Sequence, residues 1–293
     1  MSFRRNYRII ILQFLYAQQL SKINLYQVEK NMLHSIKELY NIYMSFLCLI
    51  LVIRDNIFII EKKYPNKKLI FEKKFAYNPV IKILSCNKDL LNLYNSPKNL
   101  WKKNSIIFYF LKKMKDISLD KNLNSFEEEK NFLIKCYKNL FITNNILKYK
   151  VEELYNNGQE NIYIAHNMVC KTLQLIKYST SPNFKLYNYN IENKKFIIYL
   201  YRNTIINKNK FNKLINFISD NWNVNRISII NLIILQMAIC EFLYFPNIPP
   251  KVTINEYIEI TKIFCMEKSK TFINGILDQI YKYLRKKNKI FKI

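Results

Sequence analysis

Residues 227–245 read ISIINLIILQMAICEFLYF, and the reading of this stretch decides the fold. Its length would suffice for a membrane span, which needs about 20 apolar residues. It carries Asn231, Gln236 and Glu241, however, and polar groups at those depths are costly in lipid. A central helix buried on all sides accounts for it better. Pro246, Pro249 and Pro250 end that helix. Beyond them, Thr253 with Glu256 predicts a capping box, and Val252 with Tyr257 a hydrophobic staple. Phe272, Ile273, Ile276, Leu277, Ile280 and Leu284 then form an apolar stripe at helical spacing. Gly275 inside that last helix costs about 1 kcal/mol relative to Ala, so a close approach by another helix or a ligand is expected there.

Working back toward the N-terminus, helical punctuation continues. Phe211, Leu214, Ile215 and Ile218 mark a helix leading to Trp222 and Arg226. Ile162, His166, Val169, Leu173 and Ile176 repeat at three- and four-residue steps, and Ser179 to Pro182 breaks that pattern. Ser125 with Glu128 predicts a capping box on a helix running to about Tyr155, with Asn157-Gly158 as its left-handed stop. Pro65, Pro79 and Pro97 interrupt a Lys- and Asn-rich stretch read as shorter helices and loops. Residues 26–62 form a longer helix, in which Ile42 to Ile53 is strongly apolar but too short for a span. Residues 5–20 make the first helix. Its polar, basic start runs straight into the helical pattern, so no signal peptide is expected.

Composition supports an all-α chain. Half of the 293 residues are apolar, enough for one large or two small domains, and only Gly158 and Gly275 are glycine. Two isolated glycines cannot build a dinucleotide fingerprint, a P-loop or a nucleophile elbow. The formal charge of +26 points toward a polyanion such as RNA, DNA or an anionic membrane. Most of it is Lys, in a chain also rich in Asn, Ile, Tyr and Phe, as an AT-rich genome would produce. Arg occurs only at 4, 5, 8, 54, 202, 226 and 285, so the N-terminal cluster carries more information.

Reactive chemistry is sparse. The cysteines at 48, 86, 136, 170, 240 and 265 are scattered and read as buried free thiols of a reducing cytoplasm. His34 and His166 stand alone, without Cys or His at metal-ligand spacing, and His166 reads as a core histidine. No cofactor, metal site or catalytic set is expected. Glu127, Glu128 and Glu129 suit a helix N-terminus. What remains is a binding surface. Arg4 and Arg8 lie one turn apart at a helix start, where guanidinium groups can grip phosphate or stack on a base. Lys268 and Lys270 precede the last helix in the same fashion, with Phe272 behind as a possible stacking platform.

These residues also carry a resemblance. Asn221-Trp222, Arg226-Ile227, Leu235 to Phe242, Ile248-Pro249, Lys251 to Glu256 and Ser269 to Asp278, in that order and spacing, resemble the NusB signature. Arg4-Arg5, Arg8 and Gln13-Phe14-Leu15-Tyr16 are similar to the family's N-terminus. Gln236 departs from it, standing where many members have Arg, as does Asn231, where some carry an acidic residue. The resemblance implies a NusB-like helical bundle with a helical insertion, as in the long form of Bacteroidota. The expected parts are core helices in 1–61 and 191–293, and a Lys/Asn-rich insertion over 62–190. It implies a non-enzymatic cytoplasmic transcription antitermination factor that binds boxA RNA of ribosomal RNA transcripts with the small ribosomal protein NusE. Other antitermination factors and RNA polymerase would be indirect partners. Carried over by position, Arg4, Arg5, Arg8, Lys268, Ser269 and Phe272 are the RNA-contact candidates and Tyr16 the partner-side candidate. Asn255, Asn274 and Gly275 are expected to hold helices together. Two rivals are an RNA methyltransferase with a NusB-like domain, which two glycines leave without a methyl-donor loop, and a protein scaffold that no longer recognises RNA.

Overall fold

A computed structural model describes residues 4–21, 23–66, 68–97, 99–101, 106–114, 125–182, 184–187, 191–219 and 227–290. Asn221, Trp222 and Arg226 of the sequence signature lie outside the described residues. Among the described residues the secondary structure is helical, with no strand. Two compact units are present, Met1–Ile36 with Tyr189–Ile293 and Lys37–Asn188.

The first unit is built around the apolar stretch 227–245. It forms α12 (Ile229–Tyr244), packed against α1 (Arg4–Leu20), α10 (Ile191–Ile206), α11 (Lys208–Ile218), α13 (Pro250–Phe264) and α14 (Glu267–Lys286). Residues 233–242 of α12 are all buried, so the helix has no polar face because it has no solvent face. Most of its polar groups are satisfied internally, as buried polar groups usually are, although Asn231 Oδ1 meets no partner among the described residues. Gln236 Nε2 donates to Asn212 Oδ1 at 2.7 Å, and Glu241 accepts several bonds described below. Ser228 caps the start, its hydroxyl accepting from Asn231 N at 3.4 Å.

The predicted capping box at Thr253 is not formed. α13 begins earlier, at Pro250 with Pro249 as the residue before it, because Pro suits a first turn whose N–H groups lack helical partners. Thr253 is therefore fully buried within the helix, where its hydroxyl donates to Glu241 Oε2 at 3.3 Å. Val252 is exposed and Tyr257 is core, so no staple joins them.

In the second unit, the long helix α2 (Leu25–Lys63), whose first turns belong to the first unit, supplies the centre. The expected domain boundary at 61/62 thus differs from the division at 36/37 inside α2, since the apolar run from Ile42 packs within the second unit. Trp101 Nε1 donates to Ser45 O at 2.7 Å, Tyr43 bonds Thr172 at 2.9 Å, and Phe46 stacks on His166 with centroids 4.4 Å apart. α2 as a whole is long and apolar enough to cross a membrane by length and composition. In the structure 72% of its most apolar window is buried in protein, which satisfies the same apolar groups without lipid.

Short helices follow: α3 (Ile70–Ala76), α4 (Pro79–Leu84), α5 (Lys88–Asn95) and α6 (Ile106–Met114). Asn does more here than fill a solvated stretch. Asn78 and Asn87 are buried N-caps, accepting from Val80 N and Leu90 N while donating to Glu129 O and Phe184 O. The Ser125–Glu128 box is formed in both directions at 3.2 and 3.1 Å, opening α7 (Phe126–Tyr137) with all three glutamates in its first turn. The helix does not reach Tyr155. A π-helical turn (Lys138–Ile142) leads to a break, where Asn144 accepts from Leu147 N and starts α8 (Asn145–Leu154). Gly158 is not a left-handed stop either, since no described glycine has positive φ. It begins α9 (Gly158–Leu175), and a Cβ there would lie 2.7 Å from the Val151 carbonyl oxygen. Its role is close approach between successive helices.

His166 is the expected core histidine, with its Nδ1 2.8 Å from the Tyr137 hydroxyl. Cys48, Cys136, Cys170 and Cys240 are buried free thiols, as read from the sequence, whereas Cys86 is exposed and Cys265 half-buried.

Candidate nucleic-acid interface

α1 begins with the three arginines, and each has a different fate. Arg4 is half-buried, its guanidinium carbon 5.2 Å from the centroid of Phe196. Arg5 donates through Nε and Nη2 to the two Glu256 oxygens at 2.8 and 2.9 Å, with Glu259 3.9 Å from Nη1. Arg8 is 2% exposed and donates to both oxygens of Glu241, itself 0% exposed, at 2.5 and 2.9 Å. Tyr257 also donates to Glu241, at 2.9 Å.

Arg8 is therefore a correction. One turn from Arg4, it was expected to face RNA beside it, and both do lie over Phe196. Yet its charge is enclosed and used on Glu241. Burial alone would lower the Arg8 pKa, and the Glu241 carboxylate outweighs it, so the group is held above its ordinary value. The signal was present in the sequence: a carboxylate on a helix buried all round requires a buried cation. Glu256, assigned to a capping box from the sequence, is the partner of Arg5 instead.

The start of α14 is open. Lys268 is exposed, and Lys270 and Phe272 are half-buried. Ser269 is half-buried, its hydroxyl accepting from Asn231 Nδ2 at 3.2 Å, which makes it a link between α12 and α14. Tyr16 is half-buried on α1. Asn255, Asn274 and Gly275 were expected to join helices, and all three are exposed.

Both basic helix starts act on one carboxylate. Glu259 on α13 is held below the usual carboxylate range by its bond from Lys262 and by the charges of Arg5 and Lys270. Arg5 on α1 lies 3.9 Å from that side chain, and the Lys270 charge on α14 acts on it from further off. A cavity of about 390 Å³ opens beside the start of α1, lined by Arg4, Arg5, Arg8, Asn247, Ile248, Pro249, Val252, Asn255 and Glu256. Apolar, amide and guanidinium groups in this lining suit an unstacked base attached to phosphate, with the Glu256 carboxylate held by Arg5.

Gly275 deserves a separate expectation, because nothing lies within 4 Å of the position its Cβ would take. Without an internal neighbour to clash, Gly275→Ala is expected to raise stability by about 0.5–1 kcal/mol in urea unfolding, from helix propensity alone. A loss of stability would show that another part of the chain packs there.

Three comparisons bear on this arrangement. The family model for the NusB family matches residues 166–282. A transcription antitermination protein NusB from Chloroherpeton thalassium is 40% identical over 102 residues, 35% of this chain and 48% of that protein. One from Natranaerobius thermophilus is 41% identical over 99 residues, 34% of this chain and 70% of that protein. The chain belongs to the NusB family. A third relative, from Syntrophus aciditrophicus, is 43% identical over 81 residues, so the match spans about half the length of two of the three relatives (48% and 50%). Among solved structures, T. maritima NusB aligns with 40% of this chain and 75% of its own at 29% identity and TM-score 0.31. The family match takes in the start of α14 and leaves out α1, so Arg4, Arg5 and Arg8 rest on the geometry above.

Proposed function

We propose that this chain is a non-enzymatic, cytoplasmic transcription antitermination factor. It binds boxA RNA of ribosomal RNA transcripts together with ribosomal protein NusE, and so joins an assembly with RNA polymerase. Family membership supports the class of function. The observation that supports the RNA reading is the pair of basic helix starts, with Arg4 and Arg5 lining a cavity at α1 and Lys268 exposed at α14.

The contact set is narrower than the sequence motif suggested. Arg4, Lys268 and Phe272 offer RNA phosphate and stacking contacts, and Arg5 can share its charge while held by Glu256. Arg8 and Ser269 act from behind, holding α1 and α14 in place. Tyr16 belongs to the partner side, supported by exposed Leu20, Ile23, Leu25 and Tyr26 a short way along the chain.

Fluorescence anisotropy with a boxA-like RNA and a scrambled control, with and without NusE, at two salt concentrations, tests this reading. Preference for the boxA-like RNA, strengthened by NusE, is expected. Arg4→Ala with Lys268→Ala is expected to weaken binding at least about tenfold, since two phosphate contacts are removed. The pairing of Arg5 and Arg8 with carboxylates favours a second reading, a scaffold that binds NusE without recognising RNA. Equal binding of both RNAs, unaffected by the double substitution, would leave the scaffold in possession.

A further inference from the structure

The second unit holds a pocket that the antitermination reading does not use. It has a volume of about 290 Å³ and lies where the end of α2 meets α3 and α6. Ile57, Ile60, Leu69 and Leu111 make apolar walls, and exposed Tyr64 and Phe108 stand at its mouth. One side chain does not fit this lining. Glu72, on α3, is only 4% exposed and contributes to the pocket, and no hydrogen bond or ion pair reaches its carboxylate among the described residues.

That combination is unusual within this molecule. The other buried carboxylates, Glu38 and Glu241, are each fully employed. Glu38 accepts from Asn156 N and from the backbone and side chain of Asn157, and Glu241 accepts from Arg8, Tyr257 and Thr253. The Glu72 carboxylate is not fully enclosed and keeps a narrow opening on the pocket, where a cation gains an interaction that water screens little. The walls favour an apolar body, and the volume is that of a small-molecule site. Lys112 lies exposed at the edge.

We propose that this pocket binds a small organic cation, an apolar body bearing one ammonium or guanidinium head, with the head on Glu72 and the body between Leu69, Leu111 and Phe108. Binding is selective for charge at the buried end and tolerant of shape at the mouth. The proposal stands apart from RNA binding, because every residue it uses lies in the second unit.

Phenethylammonium serves as the probe, with phenethyl alcohol as its neutral counterpart, in calorimetric titrations of the full chain. The ammonium is expected to bind at least tenfold more tightly than the alcohol. Glu72→Gln keeps the side-chain shape and is expected to reduce that preference below twofold, while Phe108→Ala weakens both probes alike. Should Glu72→Gln fail to fold by circular dichroism, Leu111→Trp, which fills the pocket from a half-buried position, must abolish binding of the ammonium. Equal affinity for the two probes, or a preference that survives Glu72→Gln, overturns the proposal. So does binding of a lysine-containing peptide when the free amine does not bind, because the site is then one for a protein partner.

Discussion

Replacing Arg8 with Met is expected to destabilise the first unit by about 3–5 kcal/mol, the range for breaking one side of a buried ion pair. The size follows from what remains. Glu241 would stay 0% exposed with its negative charge, facing the hydroxyl donors of Tyr257 and Thr253 in place of a cation. The cation–π contacts of Arg8 with Phe196 and Tyr257 would also go. Replacing both partners, Arg8→Met with Glu241→Met, removes the stranded charge and is expected to recover much of the loss. It should not recover all of it, since Tyr257 and Thr253 lose their acceptor and each unsatisfied buried hydroxyl costs about 1–3 kcal/mol. Urea unfolding of the parent, the single and the double variant checks the ordering. A double variant no better than Arg8→Met would mean that the network is held by geometry rather than by compensation of charge.

The same network separates what the sequence revealed from what it concealed. Helices were legible wherever one face repeated at 3.6 residues, as in α1, α9 and α14, or where a helix was apolar all round, as in α12. Local punctuation was legible when its signal was purely local, as at Ser125 and Glu128. It misled at Thr253 and Glu256, because a capping box and a pair of tertiary partners have the same spacing. Only the position of Arg5 and Glu241 in space tells them apart. Gly158 and Gly275 show the same limit from the other side. Glycine announces a special backbone or a close approach, and one glycine meets a carbonyl while the other meets nothing. The basic helix starts were legible as an interface because clustered Arg in an Arg-poor chain is informative. Which of those arginines faces outward was not, since that depends on carboxylates more than two hundred residues away (Arg8 and Glu241 are 233 apart). The Glu72 pocket left no mark at all: a Glu beside two lysines in a polar stretch reads as surface.

Acidification is expected to weaken the second unit through His166, with a window set by burial. Desolvation lowers its pKa from 6.5 to about 4, so the imidazole folds neutral, stacked on Phe46 and 2.8 Å from the Tyr137 hydroxyl. Between those values the unfolded chain binds the proton and the folded one does not, so stability falls as pH falls from 6.5 toward 4 and levels off below. At about 1.4 kcal/mol per pKa unit, the full loss is roughly 3 kcal/mol. Glu129 acts in the opposite direction, because burial raises its carboxyl and favours the protonated form, and it offsets part of the loss near the acid end. Glu61 and Glu259 are held below the usual carboxylate range by their bonds from Lys73 and Lys262, so they add nothing between 6.5 and 5. His166→Phe keeps a ring against Phe46 and removes the titration. It strands the Tyr137 hydroxyl, whose own pKa burial holds well above the usual value, so the variant should be less stable at neutral pH by a constant amount. Its stability curve should therefore run flatter and meet that of the parent as pH falls. Urea titrations at half-unit steps from pH 7 to 4 give both curves, and a parent curve that stays level between 6.5 and 5 would mean that His166 is accessible to protons in the folded state. Equal slopes in parent and variant would assign the acid sensitivity to carboxylates, and with it the burial that defines this core.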